Sequence, residues 1–178
     1  MKKEINVFDY ASQILTGLKQ GALVTTMAGG KVNTMTISWG TIGIEWGKKI
    51  FITFVREHRL TRSMLDEHPF FTVSIPTEAS DKSIGAFCGM NSGRNVDKIK
   101  EKQLTLVPSD TIDVPGIGEY PIILECKLLY RQKQDLSLLP PEIVRRDYPE
   151  TVGSDAPLAN RDCHTAYYAE ITKAYIAE

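Results

Sequence analysis

The chain has no apolar run long enough to span a bilayer, and its first residues, MKKEINVFDYASQ, lack the uninterrupted apolar stretch of a signal peptide. The expectation is a cytoplasmic protein with no membrane partner. Cysteine is scarce: Cys88, Cys126 and Cys163 are odd in number and far apart, with no CxxC pair. That argues against a disulfide framework or a zinc knuckle, gives no metal site to expect, and makes all three free thiols, with Cys126 packed in an apolar run. Excess charge is missing too, since 21 Lys and Arg stand against 22 Asp and Glu for a net charge of -1. No global field attracts a polyanion, so a nucleic-acid partner is not expected and any anion site must be local. No GxGxxG follows a strand, which excludes a Rossmann dinucleotide site.

What is present suits one domain. The 178 residues are 42% hydrophobic and 24% charged, enough for a single sizeable core and too few for two independent ones. There is no internal repeat and no low-complexity tract. The spacing of Phe8, Ala11, Leu15 and Leu18 predicts a helix from about Val7, with Asn6 capping the amide of Asp9, Ile5 stapled on Tyr10, and Gly21 as its stop. The pattern then turns extended. Ala22 to Met27 and Val32 to Ser38 flank a Gly29-Gly30 turn and read as a hairpin, and Ile42 to Ile44 and Ile50 to Val55 flank Lys48-Lys49. A helix over Leu60 to Glu67 and a strand over Phe70 to Ile75 follow. Further helices are predicted after a Ser80 or Asp81 cap and over Val96 to Lys102, and long strands over Ile122 to Gln132 and Thr165 to Ile176. Six or seven strands with helices between them suit a closed or nearly closed barrel better than a parallel sheet.

Three polar clusters fall at strand ends or in loops. In Asn33-Thr34-Met35-Thr36-Ile37-Ser38-Trp39-Gly40, amide and hydroxyl groups alternate along a strand that could read a planar heterocycle, although the polar face of an ordinary hairpin has the same pattern. In Val55-Arg56-Glu57-His58-Arg59-Leu60-Thr61-Arg62, guanidinium forks, a hydroxyl and helix N-terminal amides come together as phosphate chemistry requires. In Cys88-Gly89-Met90-Asn91-Ser92-Gly93-Arg94-Asn95-Val96-Asp97-Lys98, glycines permit close backbone approach while Ser92, Arg94 and Lys98 supply donors. Either loop is equally a solvated turn when taken alone.

These clusters, in this order and followed by a final strand opening His164-Thr165-Ala166-Tyr167-Tyr168, resemble the flavin reductase-like, FMN-binding split-barrel family, which includes flavoredoxin. The resemblance covers nearly the whole chain. It implies a mainly β fold: a six-stranded antiparallel split β-barrel of Greek-key character with inserted helices, forming a homodimer with FMN near the subunit boundary. By that resemblance Asn33, Thr34, Met35, Thr36 and Ser38 line the isoalloxazine and ribityl chain. Trp39, a large aromatic at a strand end, either flanks the flavin or belongs to the core or an interface. Arg56, Arg59 and Thr61 hold the 5'-phosphate, and Ser92, Gly93, Arg94 and Lys98 close over the flavin or its phosphate, Lys98 or Arg94 also tuning its potential.

The resemblance further implies an NAD(P)H-dependent flavin reductase, with NADH or NADPH as electron donor. Hydride transfer to flavin needs stacking and exclusion of water more than an acid or base, so the lack of a catalytic dyad is expected. His164 is the one candidate for the nicotinamide side, and a His capping a strand end at a dimer contact is the alternative. Two further readings remain: a flavoredoxin-like electron carrier serving an electron-accepting protein without its own NAD(P)H site, and a split-barrel binder of haem or pyridoxal phosphate. His58 and His68, beside charged residues, read as surface. The segment 135–161, with a predicted helix over Pro140 to Tyr148 and with Arg145, Arg146 and Pro157, is an insertion within the single domain 1–178. It matches none of the shared motifs, and either lids the site or covers a barrel edge.

Overall fold

The computed structural model describes residues 1–154 and 160–178; Pro157 of the insertion lies outside the described residues. In chain order the elements are β1 (Lys2–Glu4), α1 (Ala11–Gly21), β2 (Ala22–Ala28), β3 (Lys31–Ile37), β4 (Gly40–Glu45), β5 (Lys48–Arg56), α2 (Leu60–Glu67) and β6 (Phe70–Ile75). There follow α3 (Lys82–Met90), α4 (Lys98–Glu101), the two-residue strands β7 (Leu106–Val107) and β8 (Gly116–Ile117), β9 (Ile122–Lys133), α5 (Pro141–Asp147) and β10 (His164–Ala177).

One antiparallel sheet carries the architecture. Its order is β3-β2-β6-β9-β10-β5-β4, with β1 added to the far end of β10. The long pair β9 and β10 forms its spine, and irregularities at Tyr168/Ala169 and Ile171/Lys173 let β10 curl where a flat strand would not. Val24 and Met35 at one edge join Phe51, Val55, Tyr167 and Ala169 in one buried cluster, so the sheet is rolled round a common core. The edge strands β3 and β4 are joined through Ser38 and Trp39 but share no ladder, which leaves the barrel split along that seam. A second cluster on the outer face packs Leu23 against Ile84, Cys88 and Tyr120, seating α3 on the hairpin of β2 and β3.

The mainly β, split-barrel class agrees with the sequence pattern, and the main sheet has eight strands, seven that the pattern marks plus β1, against the six that the resemblance implies. The unmarked β1 is the charged tripeptide Lys2-Lys3-Glu4, held by backbone pairing that no apolar pattern signals. Gly29 and Gly30 both have positive φ (54° and 76°), the geometry of a type I′ turn. The next hairpin turns on Trp46 and Gly47 (φ 52° and 69°), and Lys48 and Lys49 belong to β5 instead. Helix α1 starts at Ala11, later than the spacing predicts. Asn6 Oδ1 accepts from the amide of Phe8 at 3.4 Å, closing a turn, and the helix buries Ile14, Gly17 and Leu18 while Phe8 and Leu15 face solvent. A Cβ on Gly17 would lie 2.3 Å from Ile75 Cγ2, so glycine there sets how closely α1 meets β6. Cys88, Cys126 and Cys163 are free and buried. No described helix is long and apolar enough to cross a membrane.

Candidate functional site: a groove between the split edge and helix α3

Helix α3 lies unusually close to β3, for a local reason. Asp81 caps it by accepting from the amide of Ser83 at 2.8 Å, and Gly85 and Gly89, one turn apart, face the strand. Thr36 Oγ1 donates to the Gly85 carbonyl at 2.5 Å, and a Cβ on Gly89 would sit 3.3 Å from Thr36 Cβ. The exposed edge of α3, Lys82, Ala86 and Met90, then forms one wall of a groove of ≈ 520 Å³. Its floor is the end of β3 from Met35 to Ile37, the Ser38-Trp39 connection and Phe54 of β5, and its end wall is Arg56, Arg59 and His164. Thus the first two sequence clusters and the start of the last strand converge on one cleft, of the size and mixed polarity that small-molecule sites have.

A second, more polar cavity of ≈ 500 Å³ adjoins it, lined by His58, Arg59, Ser92, Arg94, Asn95 and neighbours. Arg59 and Met90 border both spaces. The Arg59 guanidinium donates from Nη1 to the Gly89 carbonyl at 3.2 Å, and burial lowers its pKa, an effect reinforced by Arg56 and opposed by Asp162. Arg94, exposed, donates from Nη1 to the His58 carbonyl at 2.7 Å. Two guanidiniums and the Ser92 hydroxyl thus face the smaller cavity with donors to spare.

The other expected site residues are elsewhere. Asn33 and Thr61 are buried at the barrel end, where Asn33 Nδ2 donates to Thr61 Oγ1 at 3.3 Å, and Thr34 is sealed beneath α3, bonded to Thr25 and the Val24 carbonyl. Gly93 lies over Asn33 so closely that a Cβ would come 2.0 Å from Oδ1. These residues shape the cleft from behind. Lys98 is also behind it: its Nζ donates to the carbonyls of Thr34 and Cys88, each at 2.8 Å, and burial lowers its pKa to about 8. It ties α3 to β3 and does not line either cavity. Arg56 donates to the carbonyls of Asp147, Asn160 and Asp162 at 2.6 to 2.8 Å, so its fork secures the insertion rather than facing the polar cavity.

His164 lines the groove, with Trp39 tilted against it at 4.7 Å between ring centroids. Burial, and then the Arg56 charge, push its pKa down to about 3, so it is neutral. His58 and His68 are less exposed than their neighbours suggested. His58 Nδ1 pairs with Asp162 Oδ2 at 2.6 Å and His68 Nε2 with Asp113 at 3.2 Å, the first pair joining the residue after the insertion to the loop before α2. Sequence reading missed the α3 wall as a unit. Its signal was Gly85 and Gly89 at helical spacing, which lets a helix approach a strand closely.

A rolled, split antiparallel sheet with a groove beside its seam defines a split-barrel protein. A family model described as flavin reductase like domain matches residues 19–176, and the chain belongs to that family. An uncharacterized protein of Archaeoglobus fulgidus is 30% identical over 99 residues, 56% of this chain. The match spans 55% of that relative's length. Among solved structures, flavoredoxin of Desulfovibrio vulgaris (Miyazaki F) superposes with a TM-score of 0.65 at 23% identity, covering 89% of this chain and 69% of that one. An FMN-binding domain of a flavin reductases-like enzyme from Shewanella baltica OS155 gives 0.66 at 16% identity, covering 99% and 77%. At these identities the structural likeness establishes the fold.

Proposed function

We propose that the chain binds FMN, with the isoalloxazine in the groove against Met35, Thr36, Ser38 and Trp39 and the 5'-phosphate in the adjoining polar cavity, and acts as an NAD(P)H-dependent flavin reductase. The observation that carries the reading is Arg59. It is a partly desolvated guanidinium with one described hydrogen bond, standing where an apolar-floored cleft opens into a cavity rich in donors. A phosphate ester on a planar ring system fits that junction: the dianion meets Arg59, Arg94 and Ser92, and the ring meets Met35, Phe54 and Trp39. Family membership supports a flavin as the ligand.

Bound FMN supplies a ring that accepts hydride from a reduced nicotinamide. The protein's share is placement. Arg59 and Arg94 anchor one end, Trp39 and Met90 limit water at the other, and neutral His164 leaves the charge balance over the ring unaltered. No protein proton is required. The chain also forms a homodimer in this reading, because Ile44, Trp46 and Tyr130 leave an exposed apolar patch, 74%, 55% and 46% accessible, with Trp46 and Tyr130 packed edge to face. Buried free thiols suit a cytoplasmic address.

Titration with FMN, a flavin spectrum of the complex and nicotinamide oxidation test the reading together. Tight FMN binding with NADH or NADPH consumption is expected. FMN binding with reduction only by a ferredoxin-type donor would instead make the chain a flavoredoxin-like carrier, and no FMN binding would remove the proposal.

A further inference from the structure

The insertion is clasped to the barrel at the groove's end wall. Besides holding the carbonyls of Asp147, Asn160 and Asp162, Arg56 lies with its Cζ 5.0 Å from the centre of the Tyr148 ring, and Tyr148 is 3% exposed directly after α5. Its Oη donates to Gln134 Oε1 at 3.0 Å and lies 2.8 Å from His164 Nδ1. A phenol has one proton. With that proton directed to Gln134, the contact with Nδ1 requires the imidazole to be the donor. A neutral His164 then carries its proton on Nδ1, and Nε2, which no described hydrogen bond engages, keeps a lone pair at the groove.

We propose that Tyr148 is a positioning residue: with Gln134 it fixes the Nδ1–H tautomer of His164, so that Nε2 accepts from an amide N–H or hydroxyl on a second planar ring entering the groove. The insertion is thereby a selectivity element rather than an edge cover. A ring bearing a carboxylate at that point would set lone pairs against Nε2, whereas a carboxamide offers N–H. The ligand half of this proposal rests on the FMN reading, because the flavin defines where the second ring lies. The tautomer half does not.

The test uses the full chain labelled with ¹⁵N-histidine, with His164→Asn to assign the resonance. Long-range ¹H–¹⁵N spectra at neutral pH are expected to show Nδ1 protonated and Nε2 bare. Gln134→Leu frees the tyrosine proton for Nδ1 and is expected to shift the ring to the Nε2–H form, and Tyr148→Phe to mix the two. FMN affinity should change by less than about threefold in both variants, since neither residue touches the polar cavity. With FMN loaded, benzamide and benzoate serve as probes: the wild type should prefer benzamide by about tenfold, and Gln134→Leu should erase that preference. An Nε2–H ring in the wild type, or a preference unchanged by both variants, overturns the proposal. Absence of FMN binding overturns the ligand half and the functional reading together, while the spectra still decide the tautomer.

Discussion

Replacing Arg59 by Ala separates the ring from the phosphate in the proposed binding mode. The guanidinium has donors left after its bond to the Gly89 carbonyl, and hydrogen bonds to charged groups contribute about 1.5 to 3 kcal/mol each. One such bond to phosphate, at about 1.4 kcal/mol per decade, corresponds to roughly a 10- to 150-fold weaker FMN affinity in Arg59→Ala. Burial already lowers the Arg59 pKa, so without a bound anion Arg59 is a poorly solvated cation, and its loss costs the unliganded fold little. Riboflavin is the control, because it has the same ring and side chain without the phosphate. Titrations of wild type and Arg59→Ala with both ligands give a four-point cycle in which the FMN-to-riboflavin ratio should collapse by the full factor while riboflavin affinity stays within about twofold. Arg145→Ala, on the exposed face of α5, should leave all values unchanged. Equal losses for the two ligands, or none, would refute a phosphate seat at Arg59.

Lys98→Met should lower stability by about 2 to 4 kcal/mol in denaturant unfolding, because it strands the Thr34 and Cys88 carbonyls, while changing FMN affinity little. The folded pKa of Lys98, about 8, lies below the unfolded value of 10.5, so between those values the unfolded chain binds more protons and the wild type should gain stability over Lys98→Met as pH rises. His164 has the same sign at lower pH. With a folded pKa of about 3 against 6.5 unfolded, stability should fall as pH drops below 6.5, by at most about 2 kcal/mol at pH 5, and His164→Asn should remove that slope in melts across the range. Gly93→Ala should lower the melting temperature and weaken FMN binding several-fold, since its Cβ would force the Ser92–Arg94 loop off Asn33, and an unchanged melt would contradict that packing.

The fold was legible where side chains alternate and where glycines mark turns. The Gly29-Gly30 hairpin, α2, β6 and the two spine strands follow the pattern to within a residue or two, because one-sided burial imposes a period that apolar residues must follow. It was not legible where backbone pairing or tertiary packing decides. β1 has no apolar residue to betray it, and α1 begins a turn late because Asn6 closes a turn on the Phe8 amide while Val7 between them is buried in the core. The clusters of the site were legible as clusters, and both cavities draw on them.

Which member of a cluster faces the ligand was a different matter, and Arg56, Arg59, Arg94 and Lys98 show why. All four are cations in or beside motifs that suit an anion, and sequence assigns them alike. In the fold, a cation's availability depends on which buried backbone carbonyls lie within its reach. Arg56 is consumed by the carbonyls of Asp147, Asn160 and Asp162, and Lys98 by those of Thr34 in β3 and Cys88 in the C-terminal turn of α3. Buried carbonyls are permanent acceptors with no desolvation left to lose, so they outcompete a ligand that must first be stripped of water. Only the two arginines on the rim, Arg59 and Arg94, keep donors in reserve. A near-neutral chain can therefore hold a dianion with two side chains, provided its other local cations are committed to the scaffold that aims them.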